Sequence, residues 1–348
     1  MNVFQQDTLL LEESDIIHLI KKTGLENFLN QLRDELESGF KDFFLQKIQV
    51  PPRAEFFFPQ GTMESMPAKD ENYFACKIVN THLQNPLTYN LPTIIACGVL
   101  VEGKTGFPLM LTESTILTAL RTGTASAIAT KYLARKDSGI IGIIGNGAQS
   151  IPQLHAISLV RDIKKVYAYD IDIEASHSFK KTVEKMFGMQ VILADEGVTT
   201  RESDIVVTVT CKEKNTPPVV YDKWVKAGTH INAVGGDSPN KVELEKSFIE
   251  RAKLVVDFKD QAVYEGEAQQ VGKDKIYSDL AHVIANQIQR DDNDVTIFDS
   301  VGFAMEDLVT YKMVYDLAVR EKVGKRVNIA SRPKFIKNLY ESYFTEIQ

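Results

Sequence analysis

The run Ile140-Ile141-Gly142-Ile143-Ile144-Gly145-Asn146-Gly147-Ala148-Gln149-Ser150 restricts the fold of this chain more than any other stretch. Its first five residues read as a buried strand, and a glycine turn follows with no spacer. Gly145 permits the tight turn, and Gly147 lets the backbone approach a pyrophosphate. Ser150 stands where a third glycine is usual, still small enough for close packing of helix on strand. The spacing predicts a helix beginning near Ile151, with Pro152 in its first turn and its N-terminal N–H groups aimed at the phosphates. The next strand, Lys165-Val166-Tyr167-Ala168-Tyr169-Asp170, ends in a carboxylate 25 residues after Gly145. A carboxylate there accepts hydrogen bonds from both ribose hydroxyls and repels a 2′-phosphate. Asp172 adds negative charge, and no Arg or Lys follows before Lys180. Residues 140 to 170 thus read as a dinucleotide-binding βαβ unit that takes NAD in preference to NADP. A glycine turn that serves only as a turn is the alternative.

The rest of the chain places this unit. After Ser138 the apolar runs IIGIIG, KVYAYD, QVILA, DIVVTVT, HINAVGG, KLVVDF and VTIFDS alternate with helical segments, the pattern of a parallel, doubly wound sheet. Before it, residues 8 to 46 carry helical periodicity, with Ser14 as candidate N-cap. The runs KIQV, AEFFFP, YFACKIVN, TIIACGVLV and PLMLTE then follow with short turns between them, which predicts an antiparallel sheet. Helix is expected over about 115–134 and again in the last 40 or so residues, which return to pack on the N-terminal part. The fold class is α/β: an NAD-binding Rossmann domain over 119–307, and an α+β domain with a mainly antiparallel sheet from 1–118 and 308–348.

Composition excludes several partners. The formal net charge is −7 and no basic block stands out, so neither nucleic acid nor an anionic membrane is expected. Three widely spaced cysteines form no disulfide framework and the six histidines no metal cluster, so no metal is expected and a reducing compartment is. The N-terminus has no basic segment followed by an apolar one, and no stretch approaches the roughly 20 apolar residues of a membrane span. A cytoplasmic protein is the expectation.

Ligands of open α/β sheets sit beyond the carboxyl ends of the strands. Thr208, Thr210, Asn232 to Asp237, Asp299 and Ser300 occupy those ends. Asp237 follows two glycines and either faces the cofactor crevice or caps a helix opened by Asp237-Ser238-Pro239; both readings stand on sequence. Lys77 lies inside an apolar strand, where a lysine needs a reason.

At this point the chain closely resembles the ornithine cyclodeaminase/mu-crystallin family. The matching runs are Gly61-Thr62-Met63-Glu64-Ser65-Met66-Pro67, Lys77-Ile78-Val79-Asn80, Leu120-Arg121-Thr122-Gly123, and Ile144 through Ser150. Asn232 through Pro239, Glu265-Gly266-Glu267 and Ser300 through Asp307 continue in family order, and the GGDSP and SVGFAMED runs look most like the cyclodeaminase branch. The resemblance implies a clamp of Arg53, Lys77 and Arg121 on the carboxylate of an amino-acid substrate, which suits the planar fork of arginine. It implies catalytic roles for Glu64, which could orient a water or an amine, and for Asp237, which handles protons and the side-chain amine. Val301 and Gly302 line the substrate side. Cofactor contacts implied are Thr93, Thr122, Gly145, Gly147, Ala148, Gln149, Asp170, Thr210, Val234, Gly235, Gly236, Lys241 and Ser300.

The implied reaction is redox-neutral. Hydride leaves the ornithine Cα for NAD, the δ-amine attacks the resulting imine, ammonia departs, and the hydride returns to give proline. A homodimer formed through the N-terminal sheets is also implied. The alternatives are an NAD-dependent amino-acid dehydrogenase or cyclic imine reductase on the same scaffold, and a mu-crystallin-like protein that binds without turnover. Two departures from the cyclodeaminase pattern stand out: Asn240 where Gly is usual, and Leu83 where Pro is usual. They bear on loops near the substrate and on side-chain length discrimination.

Overall fold

The computed structural model describes residues 7–288 and 290–344. Two sheets organise them. The larger has eight strands, all paired in parallel, in the order Ser278–Asp279, Lys253–Val256, Thr296–Asp299, His230–Ala233, Ile205–Thr208, Ile140–Ile144, Lys165–Tyr169, Gln190–Leu193. Its central strands are buried on both faces, which is why they read as unbroken apolar runs. Helices Ser150–Ser158, Ile173–Phe187 and Glu196–Arg201 connect strands as the alternating pattern requires.

The smaller sheet has seven strands in the order Lys325–Val327, Thr8–Leu11, Pro108–Glu113, Ala96–Glu102, Tyr73–Thr81, Gly61–Lys69, Ala54–Phe58. All its pairings are antiparallel except that of Thr8–Leu11 with Pro108–Glu113. Its inner face packs on helices Leu25–Phe44, Thr115–Leu133 and Ala304–Glu321 around Leu32, Leu36, Phe40, Met66, Leu100 and Leu308. Its outer face carries exposed Phe56, Phe58, Met63, Phe74 and Ile78. The period-two alternation of strands puts these on one side and Glu64, Lys77 and Val79 on the other. The limits set from sequence, after residues 118 and 307, lie inside helices Thr115–Leu133 and Ala304–Glu321.

Several local expectations need correction. The stretch 8–46 is not all helix: Thr8–Leu11 is a strand, and helices Glu13–Thr23 and Leu25–Phe44 are separated by Gly24 at φ 82. Ser14 is inside the first turn; Glu12 is the N-cap, and its backbone N–H donates to Asp15 Oδ2 at 3.0 Å. The KIQV run forms no strand, only a bridge from Gln49 to Lys69. Gly61–Lys69, by contrast, is a nine-residue strand absent from the expectation.

Helix Ala304–Glu321 lies so close under this sheet that a Cβ at Gly98 would sit 2.2 Å from the Tyr311 hydroxyl oxygen. That hydroxyl is 2.5 Å from Ser114 Oγ, so it has little freedom to retreat. We expect Gly98→Ala to cost about 1–3 kcal/mol, the usual penalty of overpacking, read as a lower urea midpoint. An unchanged midpoint would mean that the helix shifts freely.

Candidate active site

The nucleotide end is built by the Gly145 turn. Gly145 has φ 96, and a Cβ there would lie 2.7 Å from the Val209 carbonyl oxygen. Above Gly147, a Cβ would meet nothing within 4 Å. The turn is held by Ser150, whose Oγ donates to the Gly147 carbonyl at 2.7 Å. Asp170 sits at the end of its strand, accepting from Asn146 N at 2.5 Å and from Asp172 N at 2.8 Å. Asp172 caps helix Ile173–Phe187. Ala148 and Gln149 follow on the open side of the turn, and Gln149 Oε1 and Ser300 Oγ are buried without hydrogen-bond partners among the described residues. Open space over Gly147 and the orphaned Gln149 oxygen fit a dinucleotide laid across this turn, and the Ser300 hydroxyl, three strands along the same sheet edge, fits its far end.

The second wall comes from the loop after His230–Ala233. Val234 N and Gly235 N donate to the Thr208 carbonyl at 2.9 and 3.2 Å. Glu243 gathers Gly235 N, Thr208 Oγ1, Thr210 N and Thr210 Oγ1 at 2.6–2.8 Å. Gly236 is packed on Glu267, where a Cβ would lie 2.8 Å from Oε1. Lys241 is buried and donates to Asp237 Oδ1 at 2.8 Å. Asp237 opens no helix, which removes the capping reading: residues 238–241 form a turn closed by a Ser238–Lys241 bridge, and the next helix starts at Lys246. The turn reverses at Asn240, φ 65, a conformation that Asn tolerates better than most side chains. Asn in place of Gly there keeps the backbone path.

Opposite lies the cationic end, on the inner face of the smaller sheet and on helix Thr115–Leu133. Arg53 donates to Glu64 Oε2, to Glu265 Oε1 and, at 2.6 Å, to the Val301 carbonyl. Lys77, 1% exposed, lies 2.9 Å from Asp307 Oδ2. Arg121 donates to Glu306 Oε2 at 3.0 Å, and its Nε is 3.4 Å from Asp307 Oδ1. Gly302, at φ 89, leaves room beside the Arg121 guanidinium, whose Nη2 would lie 3.5 Å from a Cβ there. Burial works against the charge on Arg53, but Glu64 and Glu265 outweigh it and hold the pKa above its ordinary value. Burial and then the Arg121 charge push Lys77 down to about 8, against the pull of Asp307. Burial lifts Glu306 to about 8 although Arg121 is beside it.

Thr122 is buried one residue beyond Arg121 and bonds back to the Thr118 carbonyl at 2.7 Å. Thr93 lies on the loop before Ala96–Glu102, where its carbonyl accepts from His82 N at 2.9 Å. The structure thus brings Arg53, Glu64, Lys77, Arg121, Val301 and Gly302 together, and it sets Asp237 and Lys241 on the facing wall.

A set of buried carboxylates that sequence reasoning left without roles holds these loops. Asp257 Oδ2 accepts from Val301 N and Gly302 N, both at 2.9 Å, and so fixes the backbone beside Arg121. Asp299 accepts from Glu267 N and Ala268 N at 2.9 Å, while Glu267 accepts from Glu243 N at 2.6 Å. Glu265 sits behind Arg53, and burial raises it to about 9. The signals available in sequence were that Glu265-Gly266-Glu267 and Glu306-Asp307 belong to the matching runs and that Asp299 ends a strand, where it holds the Glu267–Ala268 backbone and does not face a ligand.

A sequence profile of the ornithine cyclodeaminase/mu-crystallin family matches residues 13–322. The chain belongs to that family. Its relatives in the family include the ornithine cyclodeaminase of Agrobacterium fabrum, 35% identical over 94% of this chain and 92% of that one. An archaeal alanine dehydrogenase, solved as a dimer with bound NAD, superposes with a TM-score of 0.86 at 36% identity, covering 93% of this chain and 100% of that one. A lysine cyclodeaminase, solved to explain recognition of L-lysine, L-ornithine and L-2,4-diaminobutyric acid, superposes at 0.93 with 32% identity, covering 97% of this chain and 99% of that one. These cyclodeaminase/mu-crystallin enzymes share the fold at similar identity while differing in activity, so the activity lies in the site and not in the fold.

Proposed function

We propose that the protein is an L-ornithine cyclodeaminase, forming L-proline and ammonia with NAD as a recycled cofactor. The observation that carries this reading is the pairing of buried cations with facing carboxylates in one site. Lys77 and Arg121 give the substrate carboxylate two cations, while Glu64 and Asp237 offer anionic groups to amines. A substrate with a neutral side chain would need no such second set. The similarity to ornithine and lysine cyclodeaminases supports the same choice.

In this reading Gly145, Gly147, Ala148 and Gln149 receive the pyrophosphate, Asp170 the ribose hydroxyls, and Thr122, Thr210, Val234 to Gly236, Lys241 and Ser300 the nicotinamide half, with Thr93 on its loop as a further cofactor contact. Bound NAD supplies a hydride acceptor at the start and a hydride donor at the end. The chain's own work is positional and protonic. Arg53, Lys77 and Arg121 hold the α-carboxylate, and Val301 and Gly302 form the wall that sets Cα against the nicotinamide. Glu64 orients an amine or a water, and Asp237 takes and returns protons as the amines change role. Residues 1–118 and 308–348 form the substrate lobe and 119–307 the nucleotide lobe. The apolar outer face of the smaller sheet is the surface through which two copies would pair as a homodimer. Among the described residues no helix is long and apolar enough to cross a membrane, and the three cysteines are free, as suits a cytoplasmic enzyme.

The test is ornithine with a small fraction of an equivalent of NAD. Proline and ammonia should form to completion without accumulation of NADH. Stoichiometric NADH from alanine, the second reading that the dehydrogenase similarity favours, would overturn the assignment, as would imine reduction with no ornithine turnover.

Because burial and the Arg121 charge bring the Lys77 pKa down to about 8, the clamp carries its full charge only more than about one pH unit below that value and weakens as pH rises through it. Pentanoate, which has a carboxylate but no amine to titrate, is therefore expected to lose inhibitory strength as pH rises through about 8. A flat inhibition constant from pH 7 to 9.5 would remove Lys77 from the clamp.

A further inference from the structure

The strand Ala54–Phe58 pairs with Gly61–Lys69 so that Glu55 stands directly opposite Glu64. Directly opposed residues of an antiparallel pair point to the same face. That face is the site face, because Glu64 is buried on it and bonds to Arg53, whereas Phe56 and Met63 on the other face are exposed. Like charges placed directly opposite each other are unfavourable unless a cation lies between them. Arg53 is ion-paired with Glu64 and Glu265 and reaches Glu55 through its charge alone, so it offsets the opposed pair only in part. Nor is Glu55 neutralised by a bonded lysine. Lys214 is near, but its ammonium lies over the Phe57 ring, 5.0 Å from the centroid. Glu55 Oε1 is buried and has no hydrogen-bond partner among the described residues. Buried oxygens of ionisable groups are rarely left so.

We propose that Glu55 determines specificity, completing with Glu64 and Asp237 an anionic end that takes the side-chain ammonium of a diamino acid. This rests on the amino-acid reading of the site and deepens it. Burial and then the Glu64 charge push the Glu55 carboxyl up, Arg53 and Lys214 pull it back, and Asp237 adds the smallest upward push, so the three carboxylates share one electrostatic neighbourhood that the nearby cations do not fully offset. A bound ammonium would relieve that repulsion and satisfy the orphaned oxygen at once. A neutral side chain would leave both unrelieved. Discrimination therefore comes from the unpaired carboxylate as much as from any contact made.

The test is calorimetric titration of the NADH-loaded protein with L-ornithine and with L-norvaline, which has the same carbon chain without the terminal amine. Wild type should bind ornithine more tightly. Glu55→Gln should weaken ornithine about tenfold, the scale of one charge-assisted hydrogen bond, and leave norvaline unchanged. Glu55→Asp, which keeps the charge, should retain most of the preference. Unchanged ornithine affinity in Glu55→Gln would overturn the proposal, and so would an equal loss for both ligands, since that marks general damage. Proline formation is scored separately. A wild type that binds ornithine through Glu55 but makes no proline sinks the cyclodeaminase reading alone. One that makes proline with ornithine affinity indifferent to Glu55 sinks this proposal alone.

Discussion

Asp237→Asn is expected to lower kcat with ornithine by about a hundredfold to ten-thousandfold, the range supplied by a positioned acid–base group. The affinity for NAD should stay within about twofold. Asn keeps the shape of the side chain, and its carbonyl can still accept from Lys241, which the wild-type carboxylate holds at 2.8 Å. The wall that faces the cofactor therefore stays in place while the proton acceptor is removed. Steady-state kinetics paired with NADH fluorescence titration separates the two quantities. Turnover equal to wild type would deny Asp237 its proton role. A parallel collapse of NADH affinity would recast it as part of the cofactor wall.

The second large effect is expected at Asp307, which serves Lys77 and Arg121 together. Both cations are almost wholly buried, and Asp307 is itself 2% exposed. Asp307→Ala leaves the Lys77 ammonium with no carboxylate, and breaking a buried pair from one side costs about 3–5 kcal/mol. Arg121 keeps Glu306 and cannot shed its proton. Lys77 can, and its pKa, already held at about 8 by burial and by Arg121, will fall further once Asp307 is gone. Two readouts follow: a lower urea midpoint, and a KM for ornithine raised by about a hundredfold because one clamp cation is neutral at pH 7. Adding Lys77→Met should recover much of the stability and none of the substrate affinity, since an apolar side chain fills the space without an unpaired charge. If the double variant regained low KM, the clamp assignment would be wrong. If Asp307→Ala kept its urea midpoint, water must reach Lys77.

The nucleotide end was legible in the sequence because its geometry is local. A strand, a turn that demands φ 96 at Gly145, and a helix start all fall within about 20 consecutive residues, and each requires a recognisable residue type. The substrate end was less so. The strand Gly61–Lys69 escaped the alternation rule because two of its four buried positions, Thr62 and Glu64, are polar. A strand that turns functional groups inward looks like a loop to a hydrophobicity pattern. Thr8–Leu11 failed for another reason: three leucines one residue before a helix cannot be told from its first turn. Asp257 and Glu243 were invisible, and Glu267 and Asp299 were seen only as a motif member and a strand-end residue, because a carboxylate is ordinarily exposed and its loop-holding role cannot be read from sequence. Their partners are mostly backbone N–H groups on loops brought close only by the parallel sheet. Motif order carried the cationic residues: Lys77 and Arg121 meet across Asp307, far along the chain from both.

The central claim is that a hydride leaves the substrate Cα and returns within one binding event. Ornithine deuterated at Cα, turned over in the presence of unlabelled NADH, tests this directly when the proline is analysed by mass spectrometry. Deuterium retained at Cα of the proline is the expected result. Proline carrying hydrogen there, or deuterium accumulating in free NADH, would contradict it.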